Sequence, residues 1–123
     1  MKNLLTTLFV LGSVAMLSAQ TISFDKTTID YGKVPYAGPS EKVFTVSNRG
    51  DKPLIISKVV ASCGCTTPKW SRQPILPGKS AKITVGYDTT IAGEFLKLIE
   101  VHSNDPVQGR AALYIKGKID PKK

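Results

Sequence analysis

The chain has 123 residues, of which 41% are apolar and 7% aromatic, with 17 Lys and Arg against nine Asp and Glu and a formal charge of +8. That length holds one domain with room for a core and excludes a second. The excess charge favours acidic partners in general, yet the cations are scattered among apolar neighbours, and no helix-turn-helix, zinc-finger or aromatic-basic RNA pattern is present, so nucleic acid is not an expected partner.

In chain order, Lys2 supplies a positive start, Leu4 to Leu17 is apolar and uncharged, and Ser18-Ala19 places small residues before Gln20. This is the order of a secretory signal peptide over residues 1–19, with cleavage expected after Ala19. The apolar stretch falls short of the roughly 20 residues of a membrane span. No cysteine follows it to accept a lipid, so a periplasmic or extracellular protein with no stable membrane anchor after cleavage is expected. Removing residues 1–19 leaves 104 residues, 20–123, with a formal charge of +7.

The mature chain is dominated by period-two alternation broken by turn residues every eight to twelve positions, the pattern of short strands. Ile22 and Phe24 begin it, and Ile29 with Tyr31 follows before Gly32. Val43 to Asn48 places Phe44 and Val46 on one face and ends at a turn, Asn48-Arg49-Gly50-Asp51. Leu54 to Val60 is nearly continuous, with Leu54 and Ile56 in phase and Val59 out of phase, which predicts a bulge. Pro74 and Pro77-Gly78 mark turns before Ala81, Ile83, Val85 and Tyr87. A further strand runs from Phe95 through Ile99 and Val101 to Asn104-Asp105-Pro106, and Leu113, Ile115 and Ile119 close the set. No stretch has a helical period. About seven short strands in this length predict an all-β, immunoglobulin-like sandwich, although the long-range cysteine pair common in such folds is missing. The expected core is Phe44, Val46, Leu54, Ile56, Ile83, Val85, Ile99, Val101, Leu113 and Ile115.

The two cysteines, Cys63 and Cys65, stand one residue apart in Ser62-Cys63-Gly64-Cys65-Thr66. In an extended strand their β-carbons would be about 6–7 Å apart, beyond the roughly 3.5–4.5 Å of a disulfide, so a bond between them requires a tight turn. Gly64 is expected to supply it through dihedrals closed to other residues. Such a small ring adds only about 1–2 kcal/mol through chain entropy. Four readings stand: a local bond that fixes the loop, which is preferred; two inert buried thiols; thiol-disulfide exchange; and a soft-metal site, for which two thiolates suit Cu(I). A closed zinc site wants four ligands, and His102 is the one histidine to join.

The order Asp30-Tyr31-Gly32-Lys33-Val34, Phe44-Thr45-Val46-Ser47-Asn48-Arg49-Gly50, Pro53-Leu54-Ile55-Ile56, Ser62-Cys63-Gly64-Cys65-Thr66, Pro77-Gly78 and Gly93-Glu94-Phe95 before Ser103-Asn104 resembles the exported bacterial family called domain of unknown function 1573. More loosely it is similar to the immunoglobulin-like domains of the major-sperm-protein and Hydin-type group. The resemblance spans the mature chain. It implies a sandwich fold and a cell-envelope location, and it supplies no activity and no catalytic residues.

Several smaller signals are weighed against plainer roles. His102, beside a turn, reads as a surface or capping group rather than a base, and no cysteine-histidine catalytic arrangement is recognisable. Arg49-Gly50-Asp51 spells an adhesion tripeptide but reads first as a hairpin turn between two apolar runs. Lys69, Trp70 and Arg72 place the single tryptophan between cations, a candidate binding surface unless Trp70 covers one end of the core. Asp88-Thr89-Thr90 fits a short O-glycosylation pattern with Thr89 as acceptor. The expected function is a non-enzymatic envelope module that binds or positions another component, an envelope protein or glycan, without cofactor, catalytic residue or metal. The alternative is a small thiol-redox or copper-handling protein built on Cys63 and Cys65.

Overall fold

Eight β-strands are shared between two sheets in the computed structural model, which describes residues 21–123. They are β1 (Ile22–Phe24), β2 (Thr28–Val34), β3 (Lys42–Asn48), β4 (Ile56–Ala61), β5 (Thr66–Lys69), β6 (Ser80–Tyr87), β7 (Gly93–Ser103) and β8 (Arg110–Ile119). One sheet has the order β1-β3-β6-β5 and the other β2-β8-β7-β4. Pairing is antiparallel except between β2 and β8, which run parallel. The expected signal peptide, residues 1–19, lies outside the described residues.

The alternation of the sequence maps directly onto the two inner faces. All ten expected core residues are buried, and Ile22, Tyr31, Val34, Ile75, Tyr87, Phe95, Ala111 and Ile119 complete the layer. Each fully buried aliphatic side chain contributes about 1.5–3 kcal/mol relative to exposure, so this shared layer holds the sheets together. Near the end where β6 gives way to β7, aromatic rings bridge the sheets: Tyr87 stacks on Phe95 with centroids 3.9 Å apart, and Tyr31 meets Phe95 edge-on at 5.6 Å. The Tyr31 hydroxyl donates to the Val85 carbonyl at 2.9 Å. Burial, with the Glu41 charge adding to it, pushes that phenol up to about 12.

Four local expectations are corrected. An eighth strand, β5, was hidden by Pro68, which lacks an amide donor; it is accommodated because β5 lies on the sheet edge. Leu54 stands outside β4 in an isolated bridge to Ile75, while the bulge implied by Val59 is present as a register shift between Ile56 and Lys58. β2 continues past Gly32, whose φ of +66° absorbs a register shift between Asp30 and Lys33. Arg49-Gly50-Asp51 does form a turn, but β3 and β4 belong to different sheets, so it is a crossover and not a hairpin. Asn48, 1% exposed, shapes it: its Nδ2 donates to the Lys52 and Ile75 carbonyls and its Oδ1 accepts from Gly50 N.

Asp105 joins the sheets at the same end. Its carboxylate accepts backbone N–H bonds from Ile22 of β1 at 2.6 Å and from Val107 and Gln108 of the β7–β8 turn at 2.7 and 2.9 Å. Burial works against the charged form, but the three amides outweigh it and hold the carboxyl below its ordinary 3.8. A lowered folded pKa means stability that is present above the unfolded value and lost as pH falls through the folded one. We expect Asp105→Ala to cost about 2–4 kcal/mol by orphaning these donors, one of them buried. Urea titrations as a function of pH should show the gap from wild type closing below pH ~4; a gap unchanged in acid would contradict the role of the charge.

Gly117 stands where a β-carbon would meet Tyr31 Cβ at 2.9 Å, Gly32 O at 3.0 Å and Phe95 Cε1 at 3.0 Å. Gly117→Ala should therefore destabilise the fold by about 1–3 kcal/mol through displacement of the aromatic cluster. Thermal denaturation measures it, and a melting temperature equal to that of wild type would refute the packing.

Candidate functional site

The cysteine motif is the corner at which the chain changes sheets, from β4 in one to β5 in the other. Ser62 fastens its entrance: its N–H donates to the Leu98 carbonyl at 3.0 Å and its hydroxyl accepts from Leu98 N at 3.3 Å. The turn then closes with Thr66 N donating to Cys63 O at 3.3 Å, and Asp88 N holds the Cys65 carbonyl at 2.8 Å. The sulfurs of Cys63 and Cys65 are joined as a disulfide across this turn, with Cα atoms 5.3 Å apart. That separation falls within the span a disulfide bridges. Both cysteines are half-buried, and Cys65 packs against the core. The buried Thr66 presents its Oγ1 3.9 Å from the Cys63 sulfur and 3.7 Å from that of Cys65.

Gly64 does not act as the sequence suggests. Its φ lies outside the left-handed region, and a β-carbon there would meet nothing within 4 Å. The corner is bent by the hydrogen bonds on either side of it, and an alanine would fit.

The other proposed ligands and surface groups lie apart from this corner. His102 faces Lys58 in the β4–β7 register, whereas Ala61, two residues before Cys63, faces Ile99, so about 10 Å of strand separates the imidazole from the row beside the motif. Its Nε2 lies 3.3 Å from Glu100 Oε1. Among the described residues no three His, Cys, Asp or Glu side chains converge on a metal-sized space. Trp70 packs against the core, and the Arg72 guanidinium lies 4.9 Å above its ring while Nε donates to the Ser57 carbonyl at 3.4 Å. Lys69 is drawn elsewhere, to Glu41 at 3.1 Å. Arg72 thus ties the Trp70 segment that follows β5 to β4 at Ser57. Thr89 is 7% exposed with its hydroxyl donating to the Gly38 carbonyl at 2.8 Å, so it is not presented as a glycosylation acceptor.

A different surface emerges on the outside of the β2-β8-β7-β4 sheet. Leu96 and Leu98 of β7, Tyr114 of β8 and Val60 of β4 fall on one outer strip, because Leu98 faces Tyr114 and Val60 faces Glu100 in register. Leu96 is 64% exposed, Val60 42% and Tyr114 39%. The outside of the other sheet carries Ser23, Thr45, Ser47, Ser80, Lys82 and Thr84, with Val43 the exposed apolar exception. The signal for this strip was in the sequence: Phe95-Leu96 and Leu98-Ile99 break the period-two pattern, as in strands covered on both faces.

Because the Cys63–Cys65 ring spans three residues, replacing both cysteines with serine should cost only about 1–2 kcal/mol. Gly64→Ala should stay within about 0.5 kcal/mol of wild type, like other substitutions at exposed, unstrained positions. Intact mass after alkylation without reductant should show no free thiol in protein purified from its own compartment. Two alkylated thiols, or collapse of the fold in the double variant, would overturn the picture of a local clasp.

The fold is shared widely. A protein of unknown function from Porphyromonas gingivalis W83 aligns with a TM-score of 0.75 and 18% identity over 86% of this chain and 50% of that one. This chain therefore spans about half the length of that relative. The ASH / PapD-like domain 7 of human CEP192 aligns with a TM-score of 0.72 and 6% identity over 97% and 99% of the two chains. WR4, a C. elegans MSP family member, aligns at 0.52 and 14% over 79% and 95%. At these identities the likeness establishes the immunoglobulin-like fold alone. No curated protein matches the chain. Residues 22–119, essentially the whole sandwich, match the family model described as protein of unknown function (DUF1573), and the chain belongs to that family.

Proposed function

We propose that this chain is an exported, non-enzymatic immunoglobulin-like module of the cell envelope that binds or positions another envelope component. The observation that supports it most is the contrast between the two outer faces: one is written in serine and threonine, the other carries a leucine-rich strip open to solvent. An apolar patch of this kind is costly to leave in water and marks interaction sites. Export rests on the charge and apolar order of residues 1–19 and agrees with a cysteine pair closed as a disulfide.

The thiol-redox or copper reading rests on one observation, the half-buried sulfurs beside the Thr66 hydroxyl. A thiol enzyme also needs a base in reach of the nucleophile, and the one histidine is engaged with Glu100 on another part of the sheet.

Affinity capture from envelope extracts separates the two. We expect wild type and Cys63→Ser/Cys65→Ser to recover the same partner, identified by mass spectrometry. Failure of the wild-type protein to retain any envelope component would sink the binding reading. Loss of capture in a folded double variant, or copper retained through purification, would transfer the function to the cysteines.

A further inference from the structure

We propose that the outer face of the β2-β8-β7-β4 sheet docks an acidic amphipathic segment of a partner protein, its apolar side on Leu96, Leu98 and Tyr114 and its carboxylates on Lys33, Lys116 and Lys118. The inference rests on the reading of the chain as a binding module, and it names the face and the chemistry that this face selects.

The register lays out the surface in rows. Tyr114 lies between Thr28 and Leu98; one row along, Lys116 lies between Asp30 and Leu96; the next sets Lys118 between Lys33 and Glu94. The apolar groups thus form a strip along β7, from Leu96 past Leu98 to the row of Glu100 and Val60. Two steps of two residues make it about 14 Å long, which matches roughly nine residues of helix. Beside its Leu96 end, the backbone of Gly32, Phe95 and Gly117 floors an open hollow of about 420 Å³.

The charges around that hollow give the partner its sign. Ion pairs among the described residues are Lys26–Asp25, Lys69–Glu41 and His102–Glu100, which leaves Lys33, Lys116 and Lys118 without a carboxylate in contact. Asp30, one oxygen of which accepts from the Gly32 amide at 2.8 Å, and Glu94 also border the hollow, so three ammonium groups outnumber two carboxylates there. Three clustered ammonium groups beside an apolar strip are complemented by a segment that alternates leucine-like and acidic faces, an apolar centre with a charged rim. A second copy of this chain would present a face with the same excess of lysine over carboxylate, not its complement. A narrow strip within a sheet, with Leu98 itself half-buried, suits a single chain segment better than the plane of a lipid surface.

The test uses the mature protein purified from its own compartment and two synthetic 14-residue peptides, one amphipathic in Leu and Glu and one with Lys in place of Glu. Fluorescence anisotropy should show binding of the Glu peptide, at least tenfold weaker binding of the Lys peptide, and a loss of affinity as salt rises. Lys116→Glu/Lys118→Glu and, separately, Leu96→Ser should each weaken the Glu peptide tenfold or more with the melting temperature kept. Lys82→Glu, on the opposite face, should not. Equal binding of both peptides, insensitivity to these variants, dimerisation in sedimentation that Leu96→Ser abolishes, or attachment to phosphatidylglycerol vesicles without peptide binding would each overturn it. Envelope capture unchanged by Lys116→Glu/Lys118→Glu would sink this face while leaving the binding reading intact, whereas no capture by wild type would sink the reading itself.

Discussion

The structure depends on satisfying backbone polar groups where the chain leaves one sheet for the other, because the apolar layer between the sheets offers them no water. Every crossing exposes N–H and C=O groups that no ladder can pair, and each one buried without a partner costs on the order of 1–3 kcal/mol. Asn48 and Asp105 meet this demand at one end. Asn48 takes the Lys52 carbonyl and the Gly50 amide of the β3–β4 crossover and the Ile75 carbonyl between β5 and β6, and Asp105 gathers three amides, one of which belongs to the opposite sheet. A neutral asparagine and an ionised aspartate suit these places for different reasons: Asn48 must donate as well as accept, whereas Asp105 faces donors alone.

The cysteine corner solves the same problem differently. Here the crossing from β4 to β5 is held by Ser62 on Leu98, by Thr66 on Cys63 and by Asp88 on Cys65, and the disulfide closes a turn that these bonds already shape. The bridged pair therefore spans a sheet-changing corner. Its neighbour Trp70 packs against the core, and the Arg72 guanidinium both stacks on it and caps the Ser57 carbonyl, which ties the segment after β5 to β4. What is left open is the outside of the β2-β8-β7-β4 sheet, where apolar side chains have no cover within the described residues.

Binary pattern alone carried the class of fold and the core of this protein. Phe44, Val46, Ile83, Val85, Ile99 and Val101 alternate with polar residues, and a period of two permits one arrangement in which all of them turn away from water. The bulge in β4 was legible from Val59 for the same reason. Which strands are neighbours was not legible, because pairing β2 parallel to β8 and separating β3 from β4 depend on contacts far apart in the chain. Pro68 hid β5 because its edge position exists only in the assembled sheet. Asn48 and Asp105 read as turn residues, and only the fold, by closing the second sheet over them, turns them into buried hubs. The same holds for Thr89, drawn inside by Gly38, and for Gly64, whose freedom of φ is not used. The exposed strip of Leu96, Leu98 and Tyr114 was half legible: its doubled apolar residues stood in the sequence, but which member of each pair faces outward follows from the register that Phe95 and Ile99 take in the core.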